Sequence, residues 1–124
     1  EVNVTSTETG EQIDGYCFDE DQDVLWFEGT GQVSVMHWVA GDRVEAEAVL
    51  DELRKGWLTG PVGKGLPYTA NQGTTYGAGN LWATANTEPC VSSTSWYLMA
   101  SFRHNALFLG RNKPVPVEDQ FWAQ

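Results

Sequence analysis

The residues able to do chemistry in this chain are few, and each group lacks a member that its chemistry needs. His37 and His104 are the only histidines. Nucleophilic catalysis through either needs a serine or cysteine beside it and an acid to orient the ring, and no Gly-x-Ser-x-Gly is present. His37 therefore reads as a satisfied residue on a central strand and His104 as a hairpin-turn residue. A two-histidine zinc site is the alternative, with an acidic third ligand that only the fold can place. Asp19, Asp21 and Asp23 have the spacing that opens a calcium loop, but position six is Val24 where glycine is required and position twelve is Thr30 where glutamate is required. A solvated acidic turn is expected, with a calcium site outside the EF-hand pattern as the alternative. Residues 60–65 have Gly-x-x-Gly spacing and Lys64 without the Gly-Lys-Ser/Thr ending of a phosphate loop, and read as a turn. Any two of 17 acids could form a carboxylate pair for glycoside hydrolysis, yet nothing in the spacing marks one. No catalytic residue, metal ligand or cofactor is assigned.

Two further sets of residues carry expectations. Cys17 and Cys90 are the only cysteines, too few for a thiolate metal site, and an even number placed far apart suits a disulfide. Such a bridge would contribute about 4 kcal/mol in the chain-entropy model; two buried thiols are the alternative. Asn3-Val4-Thr5 is a glycosylation sequon near a solvated end. Bridge and sequon together point to secretion. Trp57, Tyr68, Tyr76 and Trp82 lie in or beside a long glycine-rich stretch, where flat rings could stack on a glycan or anchor a protein partner. The alternative is that Trp57 and Trp82 fill the core.

A chain of 124 residues, 41% hydrophobic with six tryptophans, has material for one core. Residues 1–12 are expected as a flexible tail or edge segment, and residues 13–124 as a single domain. The net charge of −10 opposes binding to nucleic acid and to anionic membranes. No apolar run approaches the roughly 18 residues of a membrane span. A start at Glu1 is expected of a mature or trimmed chain.

The elements that must position these residues follow from periodicity and punctuation. Residues 13–18 and 24–28 read as short strands about an acidic turn, and residues 32–39 as a central strand, because apolar residues fall on both faces. The clearest signal is a helix over residues 43–55. Asp42 caps it, Ala46, Val49, Leu50 and Leu53 form one stripe, and Gly56 is placed to supply a left-handed stop. Residues 57–79 are expected as a loop, residues 80–85 as a short strand, and residues 95–102 with 106–110 as a hairpin.

The order of these features resembles the killer toxins carried by smut-fungus viruses and the secreted fungal proteins related to them. The residues that carry the resemblance are Gly29-Thr30-Gly31 and a strand, then a helix ending Leu50-Asp51-Glu52-Leu53-Arg54-Lys55-Gly56. A Gly/Pro loop, Gly79-Asn80-Leu81 and Thr84-Ala85-Asn86 before Cys90 complete it. The resemblance implies an antiparallel sheet with helices against one face, secretion, and action against other cells without catalysis. It carries over no site residue. The expected fold is thus α+β, an antiparallel sheet with at least one helix on one face as an α/β sandwich, closed by one disulfide. The expected function is that of a secreted effector or killer-toxin-like protein binding a cell-surface protein or glycan through the region 57–82. A secreted carbohydrate-binding module and a small secreted hydrolase are the alternatives.

Overall fold

The computed structural model describes residues 1–18, 20–73 and 85–107. Within them the chain is α+β. Two antiparallel hairpins, β1 (Val2–Thr5) with β2 (Gln12–Gly15) and β3 (Leu58–Gly60) with β4 (Gly63–Gly65), accompany three helices: α1 (Phe27–Ala40), α2 (Arg43–Arg54) and α3 (Val91–Ser101). Three helices and two small hairpins stand in place of the expected single sheet with a helix on one face. Helix α1 packs against both α2 and α3.

Helix α2 forms where expected. The Asp42 side chain accepts from the Glu45 amide at 3.4 Å, and Ala46, Leu50 and Leu53 are buried. No left-handed residue stops α2, however: Gly56 does not have positive φ, and the left-handed helix cap is Gly41 at the end of α1 (φ 85°). Gly56 serves a different need: a Cβ there would overlap the ring of Phe27, which is wholly buried at the start of α1.

Helix α1 replaces the central strand expected over residues 32–39. Alternation failed as a signal because apolar residues occupied both alternating sets, which is also what a helix apolar around most of its circumference produces. Its buried residues are Phe27, Gly29, Thr30, Gly31, Ser34 and Val35, of which Phe27, Thr30, Gly31, Ser34 and Val35 recur at helical spacing. Gly31 lets α1 approach α3 closely, since a Cβ at that position would lie 2.9 Å from Trp96 Cβ. On the α2 side the buried Ser34 hydroxyl donates to the Ala46 carbonyl at 2.8 Å. The same ambiguity hid α3, expected as a hairpin strand: in residues 95–102 the set Trp96, Leu98, Ala100, Phe102 alternates with Tyr97 and Met99. Likewise residues 24–28 give no returning strand; Trp26 makes one isolated bridge to Thr69 before α1 begins.

The first twelve residues supply β1 and the start of β2, in register Val2 to Gly15 and Val4 to Ile13. Val2 and Ile13 are buried. The hairpin is fastened to α2 where the Asp14 amide donates to Glu52 at 2.9 Å and Lys55 donates to the Gln12 carbonyl at 3.2 Å.

Between the second hairpin and α3, residues 66–70 run through the interior and bond on two sides. The amides of Tyr68 and Thr69 donate to the carbonyls of Glu88 and Asn86, while the Phe27 amide donates to Tyr68 and the Ala70 amide to Leu25. Buried backbone must find such partners. Here it finds them without a regular sheet. Asn71 extends the pattern with its side chain, accepting from the Leu25 amide at 3.2 Å and donating to the Asp23 carbonyl at 2.6 Å.

The expected disulfide is corrected: no bridge joins Cys17 and Cys90. Cys17 packs beside Val24 and Ala85, whereas Cys90 is the residue before α3 and its thiol donates to the Ser93 hydroxyl at 3.2 Å. The two cysteines thus sit in separate places, one beside Val24 and Ala85 and one at a helix start.

Three outcomes test this packing. Leu53→Ala should cost about 2–5 kcal/mol in chemical denaturation, because the side chain is wholly buried. Gly56→Ala should cost about 1–3 kcal/mol by forcing the Phe27 ring out of place, although alanine is the better helix former. Unfolding without reductant, followed by alkylation and mass spectrometry, should label both Cys17 and Cys90; an unlabelled pair would restore the bridge.

Candidate binding surface

The aromatic residues singled out from the sequence divide. Tyr76 and Trp82 lie outside the described residues, as do Asp19 and most of the strand expected over residues 80–85. Trp57 and Tyr68 are half-buried and serve packing. Trp57 follows α2 and meets Tyr97 of α3 edge to face, with ring centroids 5.0 Å apart. Tyr68 packs against Val24 and Ala85, on the interior segment whose backbone is paired on both sides. The structure therefore puts them against different clusters of the core and does not join them into one platform.

Tyr97 is the centre of a polar cluster at the α2–α3 contact. Arg54, which is also paired with Asp51, donates from Nε to the Tyr97 hydroxyl at 3.3 Å. Burial works against ionising this phenol, yet hydrogen bonding to Arg54, Ser101 and Trp57 outweighs it and holds Tyr97 below the ordinary tyrosine value. Tyr16 is the opposite case. Burial first, then the hydrogen bond to Glu1 and the charges of Glu1 and Glu45, push it up.

His37 stands in the last turn of α1 with Nδ1 3.5 Å from Asp42, correcting its placement on a strand, and His104 follows α3, its amide donating to the Met99 carbonyl. Among the described residues no three His, Cys, Asp or Glu side chains gather in a way that could hold a metal ion. Asn3 is exposed on β1, its side chain donating to Asp14 at 2.6 Å.

Two concavities stand out. One, of about 520 Å³, lies between the first hairpin and α2 and is walled by Glu1, Asp14, Tyr16, Glu45 and Glu52. Several of its polar groups are engaged with one another: Glu52 accepts from the Asp14 amide and Lys55, the Tyr16 hydroxyl donates to Glu1, and Asn3 donates to Asp14. The other, of about 380 Å³, is a groove between α1 and the end of α3. Gln32, Val35, Met36 and Val39 form its α1 wall at helical i, i+3, i+4, i+7 spacing; Trp96 and Leu107 face them. Met36 and Val39 are each 64% exposed and Leu107 75%. Among the described residues, none that lines this groove is charged.

Sequence reasoning missed this groove, although a signal was present. From Gly29 to Gly41 there is no Asp, Glu, Lys or Arg, and none from Pro89 to Phe102, whereas half of the twelve residues of α2 are charged. Uncharged helices beside a charged one mark which faces a chain leaves apolar. No protein-family model, curated protein or solved structure matches the chain.

In a phenolate titration followed by ring-carbon NMR, Tyr97 should ionise at lower pH than Tyr16. Arg54→Ala should move Tyr97 upward, because it removes the hydrogen bond that offsets burial, and leave Tyr16 where it is.

Proposed function

We propose that this chain is a binding protein, whose contact surface is the uncharged groove between α1 and the end of α3 and whose partner is an apolar segment of another protein. The observation that carries this reading is the groove itself. It is a concavity of about 380 Å³ with an apolar floor and exposed Met36, Val39 and Leu107 at its rim, flanked by the amides of Gln32 and Asn105. Apolar walls with a few polar groups at the edges are the usual composition of a recognition site. Methionine on such a wall adapts to the shape of what it meets. A partner segment with apolar residues at i, i+3, i+4 and i+7 would fit the α1 wall in helix-in-groove fashion.

Among the described residues, a protein partner is favoured over a glycan by the state of three of the tryptophans. Sugar recognition needs flat faces open to solvent. Trp57 is engaged edge-on by Tyr97, Trp26 meets Phe18 edge to face, and the face of Trp38 is covered by the Arg103 guanidinium at 4.4 Å. A secreted effector acting on a target on another cell is the setting in which we place this mode of binding. The exposed Asn3 sequon supports it, and the absence of a bridge between Cys17 and Cys90 removes its other support. No described helix is long and apolar enough to cross a membrane.

Panning a displayed library of random peptides against the immobilised chain, beside a glycan array, tests the proposal. Selected peptides should share apolar residues at helical spacing, and Met36→Glu should weaken them at least about tenfold, the scale of an interface hot spot. Glycan binding that survives Met36→Glu, with no peptide selected, would overturn it.

A further inference from the structure

We propose that the segment after Leu107, beginning Phe108-Leu109, is the resident occupant of the groove between α1 and α3, so that a partner binds there only by displacing the chain's own residues. What concerns a partner rests on the reading of the groove given above; the occupant itself does not. Residues 108–124 lie outside the described residues. They are assigned to the groove by the way the chain leaves α3.

That exit is fixed and aimed. Helix α3 stops at Arg103, which stands in the left-handed region (φ 55°); its amide donates to the Ala100 carbonyl at 3.0 Å, and the His104 amide donates to the Met99 carbonyl at 2.8 Å. This pair of bonds ends a helix by turning the chain away from its axis. The Arg103 side chain then ties the turn to the other two helices, with its guanidinium 4.4 Å above the Trp38 ring of α1 and 3.7 Å from Glu47 of α2. Beyond it, the Asn105 side chain accepts from the Leu107 amide at 3.0 Å. Asn105 and Leu107 both line the groove, with Met36 and Val39 on its α1 wall. The chain is thus already at the groove at its last described residue.

The residues that come next match the place in charge and in length. Phe108 and Leu109 continue from Leu107 without a charge, and the first charged residue after them is Arg111. The α1 wall from Gln32 to Val39 covers about two helical turns, roughly 10 Å. About three residues of extended chain span that distance. A segment tethered at the rim meets the groove at an effective concentration on the order of millimolar, so even weak docking keeps it filled. Docking also lowers a partner's apparent affinity by the fraction of chains in which the groove is open.

Methyl NMR of the full chain is the test, because Met36 and Met99 are the only methionines. In the unaltered chain the Met36 methyl should show nuclear Overhauser contacts to the Phe108 ring at every protein concentration. Phe108→Ser combined with Leu109→Ser should move the Met36 resonance and leave that of Met99, which packs against the core, while circular dichroism verifies the helices. A synthetic peptide with the sequence of residues 107–113 should bind the double variant at least about tenfold more tightly than the unaltered chain, and Met36→Glu added to that variant should abolish the binding. Absence of Met36–Phe108 contacts in the unaltered chain would overturn the proposal, as would a peptide that binds both forms alike. Contacts that grow with concentration would also overturn it, by assigning the occupant to a second copy. Panning separates the two readings. Library peptides that bind the unaltered chain and the double variant equally would uphold the partner and defeat the occupant; Met36–Phe108 contacts with no peptide selected on the double variant would uphold the occupant and defeat the partner.

Discussion

The arrangement depends on a ring pressed against a backbone. Phe27 opens α1 and is wholly buried, and the space its ring occupies exists because Gly56, just after α2, has no side chain. The contact joins the start of one helix to the end of the next and fixes how α1 and α2 lie together. Interiors are packed to crystal density, so a single added carbon at such a point is felt by its neighbours. Around this contact, Leu25, Leu53 and Leu66 complete a cluster reached from three different parts of the chain. The hydrogen bond from Ser34 to the Ala46 carbonyl then holds the other end of the α1–α2 pair.

What positions both walls of the groove is the interior thread of residues 66–70. It leaves the second hairpin, passes between Leu25–Phe27 on one side and residues 86–90 on the other, and so sets where α1 and α3 begin. The Cys90 amide donates to the Leu66 carbonyl, and the Thr94 hydroxyl accepts from the Leu66 amide. An irregular segment can do this because its polar groups are paired one by one, by backbone where possible and by the Asn71 side chain where the backbone runs out.

Legibility in the sequence followed local cues. Helix α2 could be read because capping residue, charged flank and apolar stripe agree over twelve residues. Helices α1 and α3 could not, since a segment apolar on several sides has no period to detect, and α1 carries Gly29 and Gly31 near its start. They are points of close approach: Gly31 admits Trp96, and Gly29 lies under the Trp26 ring. The sequence also suggested Trp57 and Tyr68 as binding anchors, because a large ring beside glycines has the same composition whether it faces a partner or the core. In the structure Trp57 meets Tyr97 edge to face and Tyr68 packs against Val24 and Ala85, contacts that composition does not reveal. For Cys17 and Cys90, parity and distance along the chain carry no information about distance in space. The groove was foreshadowed by missing charge, a cue that composition dilutes when it is taken over the whole chain.

That distribution of charge makes the molecule an amphiphile on its own scale. Among the described residues, carboxylates crowd the first hairpin, the turn after it and α2, while α1 beyond Glu28 and all of α3 contribute none. Near a cationic surface the carboxylates of the first hairpin and α2 would be drawn toward it, while α1 beyond Glu28 and α3 add nothing to that attraction. As pH falls toward the isoelectric value of about 4.4, the acidic side loses its repulsion while the apolar side is unaltered, and the balance between staying dispersed and coming together passes to the helices alone.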